Sequence, residues 1–264
     1  MKAQNMSETY KRDQGPSLEI KDVTYEYVSE HSERTRIFED INFDIAKREF
    51  VSVMGTSGCG KSTLLNIIAG FLPCTSGEVL VSGEPITAPG PDRAMVLQKP
   101  ALFPWFTALK NVLFGPTALG FDKETSHRQA VELLREVGLA GYENNLPHEL
   151  SGGMQHRVAL ARTLAIKAPV LLMDEPFAAL DAQTRQSMQD LLLRVWENHQ
   201  STVFFVTHDI EEALLLSDRV VILKGRPARI VEIINSPFVR PRESELILDP
   251  TFVELRGRIR SLLR

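Results

Sequence analysis

The sequence predicts an α/β fold with a mainly parallel central sheet, an N-terminal antiparallel β-subdomain and an inserted helical subdomain. Three observations predict it. Two stretches of alternating polarity open the chain, short apolar runs alternate with helical stretches after residue 50, and residues 99–168 change to helical periodicity.

The opening strands are LEIKDVTYEYV, residues 18–28, and IFEDINFDI, residues 37–45. Their alternation suits an antiparallel sheet with one wet face. The charged SEHSERTR between them is expected as a hairpin loop. FVSVM, residues 50–54, is a buried strand, and KSTLLNIIAG after it is a helix burying Leu64, Leu65, Ile67 and Ile68 and ending at Gly70. AMVL (94–97), VLLM (170–173), VFFV (203–206) and RVVIL (219–223) read as further strands of a parallel sheet covered on both faces. In the helical insertion, Ala130, Leu133, Leu134 and Val137 form one apolar stripe, and Met188, Leu191, Leu192 and Val195 repeat that spacing later. Leu255, Ile259 and Leu262 give the C-terminal segment a stripe expected to pack on the protein's own core.

Composition narrows the function. Of 264 residues, 43% are hydrophobic and 24% charged, ordinary for a soluble chain with a sizeable core. A net charge of -4 gives no electrostatic case for a nucleic-acid partner. Cys59 and Cys74 are too few for a disulfide framework and fit a reducing compartment. No apolar run approaches the ~20 residues needed to span a bilayer. Residues 1–17 are polar without an apolar centre, so a disordered tail is expected rather than a secretory signal.

GTSGCGKST, residues 55–63, satisfies G-x-x-x-x-G-K-[ST] between a strand and a helix. Gly55, Thr56, Ser57, Gly58, Cys59 and Gly60 form a loop whose backbone N–H groups can wrap phosphates at a helix N-terminus. Lys61 reaches the β- and γ-phosphates, the Ser62 hydroxyl suits Mg²⁺ and closes the motif, and Thr63 just after it is expected to join the ATP site. The core is therefore expected to be a P-loop NTPase. VLLMDEP places Asp174 and Glu175 at a strand's C-terminal end, where ligands of parallel sheets collect. Asp174 suits Mg²⁺ held through water, and Glu175 suits orienting and deprotonating an attacking water. His208 ends FFVTH at the same edge, toward a γ-phosphate. Gln98, ending AMVLQ, can reach Mg²⁺ or the attacking water, although a lone glutamine carries little signal.

HELSGGMQHR, residues 148–157, reads as half a phosphate site. Ser151 caps a helix, Gly152 and Gly153 admit a ligand to the backbone, and the helix dipole favours an anion. No lysine, metal ligand or base accompanies them.

The order GTSGCGKST, Gln98, LSGGMQHR, LLMDEP, AALD (178–181) and His208 resembles the ATP-binding cassette of ABC transporters over residues 18–234. The resemblance implies that two cassettes, expected as a homodimer, pack head to tail. Ser151, Gly152 and Gly153 of one chain then close over ATP on the loop of the other, with Asp181 linking the two sites. It implies adenine stacked on Tyr27, with Tyr25 as second choice. Residues 18–240 then form the ATPase domain, residues 99–168 its helical subdomain, and residues 241–264 a helical tail. Thr56 stands where the loop usually has proline, and Met154 where the signature usually has glutamine.

PWFTALKNVLFG, EPFAALDAQTRQSMQDLLLRVW, THDIEEALLLSDRVVIL and RPRESELILDPTFVELRGRI look like the cassettes that power import of nitrate, aliphatic sulfonates and taurine. This likeness implies a peripheral ATPase at the cytoplasmic face of the inner membrane that uses ATP and Mg²⁺. Transmembrane permease subunits would be its partners, and an extracytoplasmic solute-binding protein would choose the solute. Phe103, Trp105 and Phe106 are expected to form the groove for a permease helix. Two rival readings are a soluble ABC-class ATPase and a nucleotide-gated interaction protein. The first usually carries a coiled coil or two cassettes, and Glu175 and His208 oppose the second.

Overall fold

The computed structural model describes residues 15, 17–28 and 33–264, so the expected tail lies outside the described residues except for Gly15 and Ser17. Strands β1 (Leu18–Val28) and β2 (Arg34–Ile45) pair antiparallel, with Val28 opposite Arg34. The Arg34–Arg36 triplet, expected in the hairpin loop, is therefore strand. The reason is cross-strand charge: Arg36 lies 2.8 Å from Glu26 on β1 and 2.8 Å from Glu39 on its own strand. On the other side of β1 come β4 (Ser76–Val81) and β5 (Glu84–Pro85), both antiparallel.

The parallel half contains β3 (Phe50–Gly55), β6 (Arg93–Val96), β7 (Val170–Asp174), β8 (Thr202–Val206) and β9 (Arg219–Gly225). Every residue of β3 and β8 is buried, which is why both read as continuous apolar runs. β6 stops at Val96, and Leu97, expected inside it, is exposed. A last strand, β10 (Ala228–Asn235), turns back antiparallel on β9 and meets β2 in parallel through Ala228 and Phe38. That junction joins both halves into one ten-stranded sheet, ordered β5-β4-β1-β2-β10-β9-β3-β8-β7-β6.

Helix α1 (Lys61–Ala69) follows β3 and ends at Gly70, in the left-handed conformation. The insertion holds α2 (Ala108–Ala118), α3 (Lys123–Glu136) and α4 (Gly152–Ala165). Thr107, Asp122 and Ser151 cap these three through their side chains. α5 (Ala182–His199) and α6 (Ile210–Leu216) flank β8, and α7 (Pro250–Leu263) ends the chain. No helix among the described residues is long and apolar enough to cross a membrane.

The expected stripes of α3 and α5 enter the core that joins the insertion to one face of the sheet. α1 covers the other face with β1 and β2. α7 buries Phe252 and Ile259 in a third cluster with Met54, Val220 and Ile222. Phe205 is fully buried between Phe50, at 5.6 Å between ring centres, and Phe177, at 6.0 Å. It thus supports the turn that follows β7. Phe205→Ala should cost about 3–5 kcal/mol of stability, because the cavity cannot collapse in a sheet interior. Urea unfolding of the two chains measures this directly.

Candidate functional site

Parallel pairing brings four chain turns to one edge. Gly55 pairs with Leu223, Val53 with Val206, and Asp174 with Val206, so the loop after β3 and the residues after β7 and β8 are neighbours. Val96 pairs with Met173, which brings Gln98 to the same edge.

The loop of residues 55–63 leaves Thr56, Ser57 and Gly58 exposed. Gly60 has φ 93°, and a Cβ there would stand 2.6 Å from Ile37 Cγ2, so only glycine lets the loop lie against β2. Cys59 is buried core filler, and burial pushes its thiol up, away from the reactive thiolate. Lys61 is buried and donates to the carbonyls of Gly55 at 3.0 Å and Thr56 at 3.4 Å. Ser62 Oγ donates to Asp174 Oδ1 at 3.1 Å. A hydroxyl beside a carboxylate is the hard-oxygen pair that Mg²⁺ takes when water and phosphate fill its other positions. Burial raises the Asp174 carboxyl above its ordinary range, against the Ser62 hydrogen bond; Glu175 adds to the rise and Lys61 opposes it.

Glu175 sits in left-handed backbone at φ 45°, its N–H bound to Val206 O at 2.9 Å. This strained turn aims the carboxylate along the edge, with Oε2 lying 3.1 Å from His208 Nδ1. Behind His208 a network escaped the sequence analysis. Thr207 donates to buried Glu212 at 2.6 Å, Gln189 donates to the same carboxylate at 3.1 Å, and Asp209 caps α6. Arg226 was also unforeseen. A Cβ on Gly58 would lie 3.2 Å from its guanidinium, yet it sits on a turn far along the chain.

The other predicted residues stand apart from this cluster. Tyr27 is 53% exposed, whereas Tyr25 packs on Phe38 at 6.0 Å between ring centres. The Gln98 side chain is exposed and forms no hydrogen bond among the described residues. Its carbonyl instead lies 3.2 Å from Nε2 of buried His156, whose Nδ1 is 2.9 Å from Gly152 O. Ser151, Gly152 and Asp181 are exposed. Ser151 Oγ accepts from Met154 N, and Asp181 caps α5 through Thr184 N. A Cβ on Gly153 would stand 2.9 Å from Thr184 Cγ2, so the first turn of α4 lies this close to the first turn of α5 only because Gly153 has no side chain.

Beside the Gln98 loop lies an aromatic patch. The Phe103 ring centre lies 4.5 Å from that of Phe114, tilted, and 5.6 Å from that of Phe106, edge-on, while Trp105 is 68% exposed. Buried Asn111 fixes the loop: its Nδ2 shares two protons among the carbonyls of Phe103, Phe106 and Thr107, and its Oδ1 accepts from Phe103 N. Arg162 of α4 donates to Pro100 and Ala101 and lies over the Phe103 ring.

Comparison with known proteins gives a consistent result. A family model described as ABC transporter matches residues 38–178. The taurine import ATP-binding protein TauB of Rhizobium johnstonii is 42% identical, over 93% of this chain and 96% of that protein. The nitrate import ATP-binding protein NrtD of Synechococcus elongatus is 47% identical, over 83% and 81% respectively. The bicarbonate transport ATP-binding protein CmpD of Synechocystis sp. is 45% identical, over 91% and 86%. A solved dimeric, post-hydrolysis ATP-binding cassette with bound ADP and Pi superposes with a TM-score of 0.71 at 33% identity, covering 84% of this chain and all of that one.

The burial of Asp174 predicts a measurable trade. Its folded pKa is raised, so ionising it at neutral pH destabilises the nucleotide-free chain, and this penalty disappears once the group is protonated. Asp174→Asn should therefore melt higher than the parent at neutral pH, with the gap closing toward about pH 4. Thermal melts over that range test the sign.

Proposed function

Since the chain belongs to the ABC transporter family of ATP-binding proteins, we propose that it is the ATP-hydrolysing subunit of an importer for a small anionic solute. The taurine, nitrate and bicarbonate systems of its relatives handle small solutes that each bear an anionic group.

The observation that carries the mechanism is the incomplete site at Ser151–Gly153. The hydroxyl and N–H groups at the start of the fourteen-residue α4 are exposed, and none bonds to the phosphate loop of the same chain. They complete a site only across a dimer, where the γ-phosphate meets the N-terminal dipole of a second cassette. The loop backbone and Lys61 hold the β- and γ-phosphates. Ser62 and Asp174 would hold Mg²⁺, which supplies positive charge to those phosphates. Glu175, positioned by His208, takes a proton from the attacking water. Tyr27 offers an exposed ring to the adenine. Loss of the γ-phosphate removes the charge that the second half site rewards, and the dimer opens.

The aromatic patch transmits that movement. It is rigid, exposed and tied to α4 through Arg162, as a seat for a cytoplasmic helix of a permease subunit needs to be. The protein thus sits peripherally on the cytoplasmic face of the membrane. An extracytoplasmic solute-binding protein selects the solute.

Sedimentation of Glu175→Gln tests the shared site. With Mg·ATP this variant should shift from monomer to dimer, and with ADP it should not. Adding Ser151→Arg should abolish the shift while ATP binding remains; a persistent dimer would exclude the shared site. Separately, Trp105→Ala should keep the ATP-dependent dimer in the Glu175→Gln background. In the otherwise unaltered chain, assembled with its membrane subunits, it should lower solute uptake about tenfold or more. Loss of ATP binding in that variant would contradict the docking role.

A further inference from the structure

The opposite edge of the sheet carries a second candidate site. A cavity of about 420 Å³ opens where β3, β7 and β8 begin, and its wall includes Lys47, Arg48, Pro169, Ser201 and Thr202. We propose that it binds a small organic phosphate, separately from the nucleotide.

Charge gives the first argument. Lys47, Arg48 and Lys167 all line the cavity, and none of their side chains has a hydrogen bond or ion pair among the described residues. No Asp or Glu lines it. A fourth basic group, His199, is already paired with Glu136 at 3.0 Å. Three exposed cations outnumber the partial negative charge that the C-terminal ends of α4 and α5 bring to the same rim, and they favour a ligand of more than one negative charge.

The backbone gives the second. Eight non-glycine residues among those described have positive φ, and four of them line this cavity: Arg48 (63°), Ser82 (52°), Lys167 (58°) and Gln200 (50°). Glu175 at the hydrolytic site is another of the eight. Gln200 takes this conformation as the C-cap of α5, and the other three take it in the turns that end β2, β4 and α4, so four tight chain reversals shape this rim. Here Trp196 Nε1 donates to Ser201 O at 2.7 Å, and Arg48 N donates to Thr202 Oγ1 at 3.0 Å. The Thr202 hydroxyl keeps its own proton to donate inward.

Size and lining settle the class. The hollow exceeds what one inorganic anion fills and matches a small-metabolite pocket. Leu164 and Leu171 form an apolar part for a carbon skeleton, while hydroxyls and cations suit phosphate oxygens.

The test is calorimetry on the full chain with the phosphate loop saturated by ADP, using phosphoenolpyruvate and pyrophosphate as probes. Phosphoenolpyruvate should bind one per chain and more tightly than pyrophosphate. Lys47→Ala with Lys167→Ala, both exposed positions, should weaken it about tenfold or more and leave ADP affinity unchanged. Absence of binding to the unaltered chain, equal binding to the double variant, or tighter binding of pyrophosphate would each overturn the proposal. Unchanged ADP binding keeps any such failure distinct from failure of the ATPase reading.

Discussion

Parallel pairing of β8 with β3 on one side and β7 on the other is the constraint on which the rest depends. Strands that run the same way end at the same edge, and their crossovers must pass over the faces of the sheet. That one fact places the loop after β3, the carboxylates at the end of β7 and the histidine after β8 side by side, although long stretches of chain separate them. It also places the starts of the same strands at the far edge, where the cationic cavity lies. Hydrogen-bond direction, more than any local preference, decides where chemistry can occur.

The site carries its own cost. Asp174 is held where burial disfavours its charge, Glu175 is held in left-handed backbone, and Glu212 is raised by burial behind His208. A chain selected only for stability would remove all three. Their joint presence at one edge fits groups retained for a ligand that brings compensating charge. Fully buried Phe205, packed on Phe177 in the turn after β7, offsets part of that cost.

Helix α4 has three dependents. Its N-terminus presents Ser151 and Gly152 outward, while Arg162, near its other end, grips the aromatic loop. His156, between them, contacts the Gln98 carbonyl. A rigid helix touching all three cannot move at one end alone, which gives a physical route between the nucleotide edge and the aromatic patch.

The phosphate loop, the acidic pair, the capped half site and the core stripes were legible because each depends on residues close together in sequence. A glycine-rich turn, a buried apolar run and a helical period are local properties. The strand status of Arg34–Arg36 was not legible, because cross-strand pairing with Glu26 outweighs local polarity. Nor were β4, β5 and β10, whose stability comes from neighbours rather than composition. Arg226 beside Gly58, Asn111 beneath the aromatics and the link from His156 to Gln98 needed the fold, since they join positions with no spacing in common. The sequence by itself determined the chemistry available at the nucleotide edge. Only the tertiary structure decided which groups meet there and which cations gather at the other edge, because pairing and burial act between segments that the linear chain keeps apart.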